Sequence, residues 1–247
     1  MNDLATLLDN ARLEGRLLQA LPVELTLTDA YAVQASLLER ALSRGERLIG
    51  WKMGMTSRAK MQQMNVHAPI HAWLSDRMLL EDGATLRRET LRQPRVEPEI
   101  CFVMGADISG PVTAAQALAA VKGVCAAIEV LDSRYEDFRF NLPNVVADNA
   151  SAAFVVLGSE LVSPGALDNL GIVLECDGRV VETASSAAVY DHPARALAAL
   201  INAIAPRSLR AGDIVMSGGA TQAVSLAGVS QVRVSVERIG SATLRIA

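Results

Sequence analysis

The spacing of apolar residues changes period partway along the chain. Up to about residue 47 it is helical. Leu4, Leu7, Leu8, Ala11 and Leu18 recur near every 3.6 residues and predict a helix over 3–20. Thr28 reads as an N-cap and Gly45 as a stop, which predicts a second helix over 28–44. From Leu48 onward the texture is short apolar or alternating runs. These predict strands at 48–54, 78–80, 96–104, 124–132, 153–157, 171–176, 179–182, 213–217 and 231–237, with an Asp-Gly hairpin turn at Cys176-Asp177-Gly178-Arg179. Short helices are expected at about 57–64, 113–122 and 192–204, the last introduced by Asp191-His192-Pro193. The pattern therefore predicts an α+β protein, with an N-terminal helical region at 1–47 and a β-rich domain at 48–247. Its sheet should be mixed or antiparallel, not doubly wound.

Composition narrows the class. The chain has 247 residues, of which 51% are hydrophobic, enough for a full core without covalent staples. A net charge of −4 gives no basic footprint, so no nucleic acid is expected as a partner. Cys101, Cys125 and Cys176 are widely spaced, which argues against a disulfide framework or a thiolate zinc site. Met1-Asn2-Asp3-Leu4 lacks a basic leader, and no apolar run has membrane-spanning length. The expectation is a cytoplasmic protein with no membrane partner.

Three segments carry candidate chemistry. In Arg95-Val96-Glu97-Pro98-Glu99-Ile100, Glu97 and Glu99 share one strand face, about 7 Å apart by strand rise. Such neighbours repel unless a cation or proton sits between them. Pro98 cannot donate to a ladder, so an edge or a bulge is expected. The competing reading is a solvated strand end. Glu129 is the only charge in the apolar run 124–131, so it needs a proton, a basic partner or a metal, and Arg134 offers a salt bridge. Three carboxylates with waters suit a hard octahedral ion, Mg2+ or Mn2+. His67, His71 and His192 have no ligand spacing that would favour zinc. On 48–54, Gly50, Lys52 and Gly54 share a face cleared of neighbouring side chains, where an ammonium could meet a small acid; a snorkelling surface lysine is the alternative. Val146–Ser151 could be a plain turn or could supply Ser151 and amide groups to a pocket. Ser217-Gly218-Gly219-Ala220-Thr221 could be a tight turn or an anion-binding nest with a hydroxyl.

Gly50-Trp51-Lys52-Met53-Gly54-Met55-Thr56-Ser57, Glu97-Pro98-Glu99, Glu129-Val130-Leu131-Asp132-Ser133-Arg134 and Ala147-Asp148-Asn149-Ala150-Ser151 occur in an order and spacing that resemble the fumarylacetoacetate hydrolase superfamily. The similarity is to its hydratase and decarboxylase branch of meta-cleavage aromatic catabolism, and it runs from about Thr28 to the C-terminus. The resemblance implies a mixed β-sandwich roll with an N-terminal helical region. It implies Mg2+ or Mn2+ held by Glu97, Glu99 and Glu129, Lys52 beside the substrate, and a pocket lined by Ser151, Gly218, Gly219 and Thr221. Ile70 stands where the hydratases carry an aspartate that handles water, as in the decarboxylases. The implied activity is metal-dependent decarboxylation of a small 2-oxo dicarboxylic acid, 2-oxo-3-hexenedioate, to 2-hydroxypenta-2,4-dienoate. Hydration of a dienoate is the alternative. Asn65, His71 and Ala72 depart from the branch's glycine, aromatic and glycine. The resemblance further implies a homo-oligomer and raises a complex with a cognate hydratase.

Overall fold

The computed structural model describes residues 2–19, 21–57, 61 and 68–247. The predicted helix at 57–64 falls mostly outside them, as do Asn65 and His67. Among the described residues no helix is long and apolar enough to cross a membrane.

Helix α1 (Asn2–Glu14) is shorter than the predicted 3–20. Gly15 takes a left-handed φ of 63° and turns the chain out, and Leu18 then bridges to Tyr135. Helix α2 (Leu27–Ser43) is capped by Thr26, not by Thr28. The Thr26 hydroxyl accepts from Asp29 N at 3.1 Å, and the Asp29 carboxylate accepts from the Thr26 backbone N–H at 3.3 Å, a reciprocal box that Thr28 has no matching acid to form. Helix α2 is fastened to the body. Gln34 Nε2 donates to the carbonyls of His71 and Val146, and Trp73 Nε1 donates to Gln34 O.

The remaining elements are β1 (Leu48–Gly54), β2 (Ile70–Ser75), β3 (Leu79–Glu81), β4 (Thr85–Leu86), β5 (Arg95–Met104), α3 (Ala114–Ala119), β6 (Val121–Leu131), α4 (Leu142–Ala147), β7 (Ala152–Leu157), β8 (Gly171–Cys176), β9 (Arg179–Ser185), α5 (Pro193–Ala203), β10 (Ile214–Met216), β11 (Val224–Ser225), β12 (Gln231–Val236) and β13 (Gly240–Ile246). The larger sheet runs β2-β1-β10-β5-β6-β7-β3, with β11 also paired to β5; the smaller runs β4-β13-β12-β8-β9. Both are mixed, since β1–β10, β3–β7 and β4–β13 are parallel. Strands β12 and β13 pack on β5, β6 and β7, closing a two-layer roll. Apart from exposed Lys122 at the start of β6, the even-numbered side chains of β5 and β6 are apolar and buried, among them Val96, Ile100, Phe102, Val124, Ile128 and Val130. They supply the core between the sheets and leave the odd-numbered face for the acids.

Several expectations need correction. Strands β2 and β13 and helix α4 lie where none was predicted. In β2 the apolar run is broken by His71, and in β13 the buried positions start with small Ala242, so both periods are faint. The expected edge or bulge at Pro98 is not there, because β5 is central and pairs with β6 from Arg95 to Met104. Pro98 is tolerated because β10 ends at Met216 and β11 begins at Val224. The missing donor falls in that gap, where Ala220 N reaches Pro98 O across a loop.

Candidate active site

Register assembles the acids. Glu97 on β5 lies directly opposite Glu129 on β6, and Glu99 is two residues further along the same face. A ligand oxygen from each lies within 4.8 Å of the others, and all three are buried. The competing reading of Glu97 and Glu99 as a solvated strand end does not hold. Arg134 is not the partner of Glu129 either. Instead Lys52 Nζ, three strands away on β1, lies 3.0 Å from Glu129 Oε1 and donates to Ala150 O at 3.1 Å. Lys52 is itself buried, which removes the surface-lysine alternative. Gly50 permits this approach of the strands, since a Cβ there would sit 2.0 Å from Ile214 O.

The electrostatics are uneven. Glu99 Oε2 accepts from Gly218 N at 2.7 Å, whereas Glu99 Oε1 is buried with no hydrogen-bond partner. Burial first, and then the Glu129 and Glu97 carboxylates, push the Glu99 pKa well above the carboxylate range. Burial also raises that of Glu129, with Lys52 pulling it back. Among the described residues, the buried Glu99 and Glu129 carboxyls share one ammonium, so this pair has more acids than cations. An orphaned buried carboxylate oxygen, two acids beside it and no sulfur or imidazole among them fit a hard divalent cation. Gly219 completes the fit, because a Cβ there would lie 1.7 Å from Glu97 Oε2 and fill the space beside that carboxylate.

The Gly218–Thr221 segment serves this cluster differently from the expected nest. The Gly218 N–H is spent on Glu99, and the Thr221 hydroxyl donates to Gln222 O at 2.9 Å. Gly218, Gly219 and Thr221 do not line the adjoining cavity, whereas Lys52, Glu97, Ile70 and Ser151 do. That cavity, of about 150 Å³, is otherwise walled chiefly by Leu131, Phe138, Phe140 and Val145. These apolar side chains escaped the sequence reading because nothing in a short apolar run says which face meets a ligand. A cavity of about 170 Å³ between α1 and Asp132–Arg134 holds none of the three glutamates, so the chemistry belongs to the former.

Behind Lys52 sits a backbone feature with no glycine to announce it. Asn149, Ala150 and Ser151 all take left-handed φ angles, 49°, 49° and 58°. Each costs on the order of 1–2 kcal/mol for an L-residue, so surrounding contacts must hold the turn. Asn149 brackets Trp73, accepting from its N–H at 3.1 Å and donating to its carbonyl at 3.0 Å. Asp148, just before the turn, is gripped by Arg134 through its side-chain Nε and its backbone N–H.

Comparison with known proteins gives a consistent picture. The fumarylacetoacetate (FAA) hydrolase C-terminal family matches residues 50–247. A 4-oxalocrotonate decarboxylase of Pseudomonas sp is 41% identical over 242 residues, covering 96% of this chain and 94% of its own. A 2-hydroxyhexa-2,4-dienoate hydratase of Comamonas testosteroni is 34% identical over 229 residues, covering 90% and 87%. Among solved structures, 4-oxalocrotonate decarboxylase from Pseudomonas putida G7, complexed with magnesium and adipate, superposes with a TM-score of 0.95 at 38% identity over 100% of this chain and 97% of that one.

Proposed function

The chain belongs to the fumarylacetoacetate hydrolase family, and from that premise we propose that it is a divalent-metal-dependent carboxy-lyase acting on 2-oxo-3-hexenedioate (4-oxalocrotonate). One observation carries the reading: three buried glutamates converge, one Glu99 oxygen has no hydrogen-bond partner, and Glu97 and the Glu129-paired Lys52 face an otherwise largely apolar cavity. Glu97, Glu99 and Glu129 would hold Mg2+ or Mn2+, which supplies Lewis-acid stabilisation of the charge that develops on the substrate's C2 oxygen. Lys52 Nζ, fixed between Glu129 and Ala150 O, presents a second positive contact to the same oxygen. The C5–C6 bond breaks and C6 leaves as CO2. Its electron pair passes through the alkene to the C2 oxygen, where one proton completes 2-hydroxypenta-2,4-dienoate.

The apolar wall decides between the two lyase reactions. Ile70, Leu131 and Val145 offer no hydrogen bond to hold a water against the conjugated chain. They also leave the departing carboxylate poorly solvated, which favours the charge-dispersed transition state. An ultraviolet assay of 2-oxo-3-hexenedioate consumption, with and without Mg2+ and with CO2 measured, tests this. Metal-dependent release of one CO2 per substrate is expected. A 4-hydroxy-2-oxo acid formed from a dienoate without CO2 release would assign hydratase activity instead, and full turnover after stringent chelation would overturn the metal scheme.

A further inference from the structure

We infer that Arg134 is a positioning residue for Lys52, acting through the left-handed turn at residues 149–151. The inference rests on Lys52 taking part in the reaction proposed above. Arg134 and Lys52 are both buried, and they do not touch the same carboxylate. Arg134 grips Asp148 with its Nε and backbone N–H, donates from Nη2 to the Asp148 carbonyl, and ties back to Asp132 O from Nη1 at 2.8 Å. Asp148 O also accepts from Ser151 N at 3.0 Å, and Ser151 O accepts from Asp132 N at 2.9 Å. Asn149 is locked to the Trp73 backbone. The turn is thus fixed at its entry, its first residue and its exit. The Ala150 carbonyl between them is delivered to the Lys52 ammonium. In right-handed backbone that peptide would face elsewhere, so the three positive φ angles and the Arg134–Asp148 pair have a common consequence. They set where the ammonium stands relative to the glutamates and the cavity.

Ala150→Gly separates this role from a structural one. Glycine adopts the left-handed φ without strain, so the variant should fold with an unchanged or higher Tm while the carbonyl loses its fixed direction. With the Mg2+-loaded protein, kcat should fall roughly tenfold with little change in KM. In a Lys52→Met background the same substitution should cause no further loss. Arg134→Gln should show the same kcat-selective loss together with a lower Tm. A second readout does not depend on turnover. The chain's lysines are Lys52, Lys60 and Lys122, so 13Cε-lysine labelling gives a sparse spectrum in which Lys52→Met assigns the resonance of interest. Ala150→Gly should shift or broaden the Lys52 signal and leave that of Lys122 in place. An unmoved Lys52 signal overturns the inference, as does an unchanged kcat in an Ala150→Gly protein whose Lys52→Met counterpart is impaired. If the wild-type protein turns over no dicarboxylate, the proposed reaction fails, and the spectrum alone still judges the Arg134 route, because Arg134→Gln should move the Lys52 signal as Ala150→Gly does and an unmoved signal there overturns it.

Discussion

Two of the buried acid clusters among the described residues are balanced in different ways. Between α1, α2 and β2, Asp9 and Glu46 are buried against two guanidiniums and a hydroxyl. Arg44 makes a two-pronged contact with Asp9 at 2.6 and 3.0 Å, Arg12 reaches Glu46 at 3.4 Å, and Ser75 Oγ donates to Glu46 at 2.6 Å. Between β1, β5 and β6, Glu99 and Glu129 share one ammonium among the described residues, that of Lys52, and one Glu99 oxygen has no hydrogen-bond partner there. The first cluster joins the N-terminal helices to the sheet and is complete as it stands. The second is incomplete without a cation or protons. Burial of charge alone does not mark a functional site; an excess of one sign does.

The largest effect that would break this contrast comes from Glu99→Gln. Gln keeps an acceptor for the Gly218 N–H and removes the excess charge. Turnover should drop roughly a thousandfold, by loss of the cation's charge stabilisation. Metal-free stability should hold or rise. The sign follows from the raised pKa: the folded protein keeps a proton on Glu99 that the unfolded chain releases above its ordinary value of 4.5. Metal-free wild-type stability therefore falls as pH climbs from that value, and Glu99→Gln flattens the fall. Saturating Mg2+, at about a hundred times Kd, should stabilise the wild type by about 2.7 kcal/mol and the variant by far less. Urea unfolding at several pH values, with and without metal, reads all three. A Glu99→Gln protein less stable than the metal-free wild type would show that the acid is structurally paired after all.

Asp9→Asn should do the reverse. It removes the two-pronged partner of Arg44, which keeps Glu46 at 3.6 Å and some solvent contact, so the loss is about 1–2 kcal/mol, below that of breaking a fully buried pair. The kcat of the folded fraction should not move. A drop in kcat with unchanged stability would make the helical cluster part of the site.

His71 shows a third way to bury a titratable group, by keeping it neutral. Its ring stacks on Tyr31 with centroids 4.5 Å apart, and burial lowers its pKa from 6.5 to about 4. The unfolded chain takes up a proton through that window, so stability is complete above pH 6.5 and declines toward pH 4. The loss is about 2 kcal/mol by pH 5. His71→Phe retains a ring for Tyr31 and should remove this decline; an identical slope in the variant would place the acid sensitivity elsewhere.

The same contrast explains what could be read from the sequence. Glu129 announced itself because a lone charge in an oily run has to be answered, and strand period placed Glu97 and Glu99 on one face. Asp9 and Glu46 gave no such signal, because acids on amphipathic helices and in turns are ordinary and their burial is created by packing. The choice of Lys52 over Arg134 as the partner of Glu129 was equally hidden. Sequence distance favours Arg134, but Lys52 arrives from β1 only once β10 is inserted between β1 and β5. The left-handed turn was hidden for a chemical reason: Ala150 and Ser151 are poor predictors of positive φ, and tertiary contacts impose it.

The smallest test concerns a local error of the same kind, the start of α2. Thr26 and Thr28 both precede a helical run, and both are exposed. What distinguishes them is the residue three places on. Thr26 has Asp29, which returns its side chain to the Thr26 backbone N–H and hydroxyl, whereas Thr28 has Tyr31, which cannot. Thr26→Ala leaves the Asp29 N–H without its acceptor and should cost about 1 kcal/mol. Thr28→Ala, inside the first turn, replaces a poor helix former with a good one and should be neutral or slightly stabilising. Because α2 carries Gln34 and Arg44 into the body, the Thr26 loss should appear in global unfolding rather than as local fraying. Equal effects of the two substitutions would mean that the helix gains nothing from the box and is held in place by its packing alone.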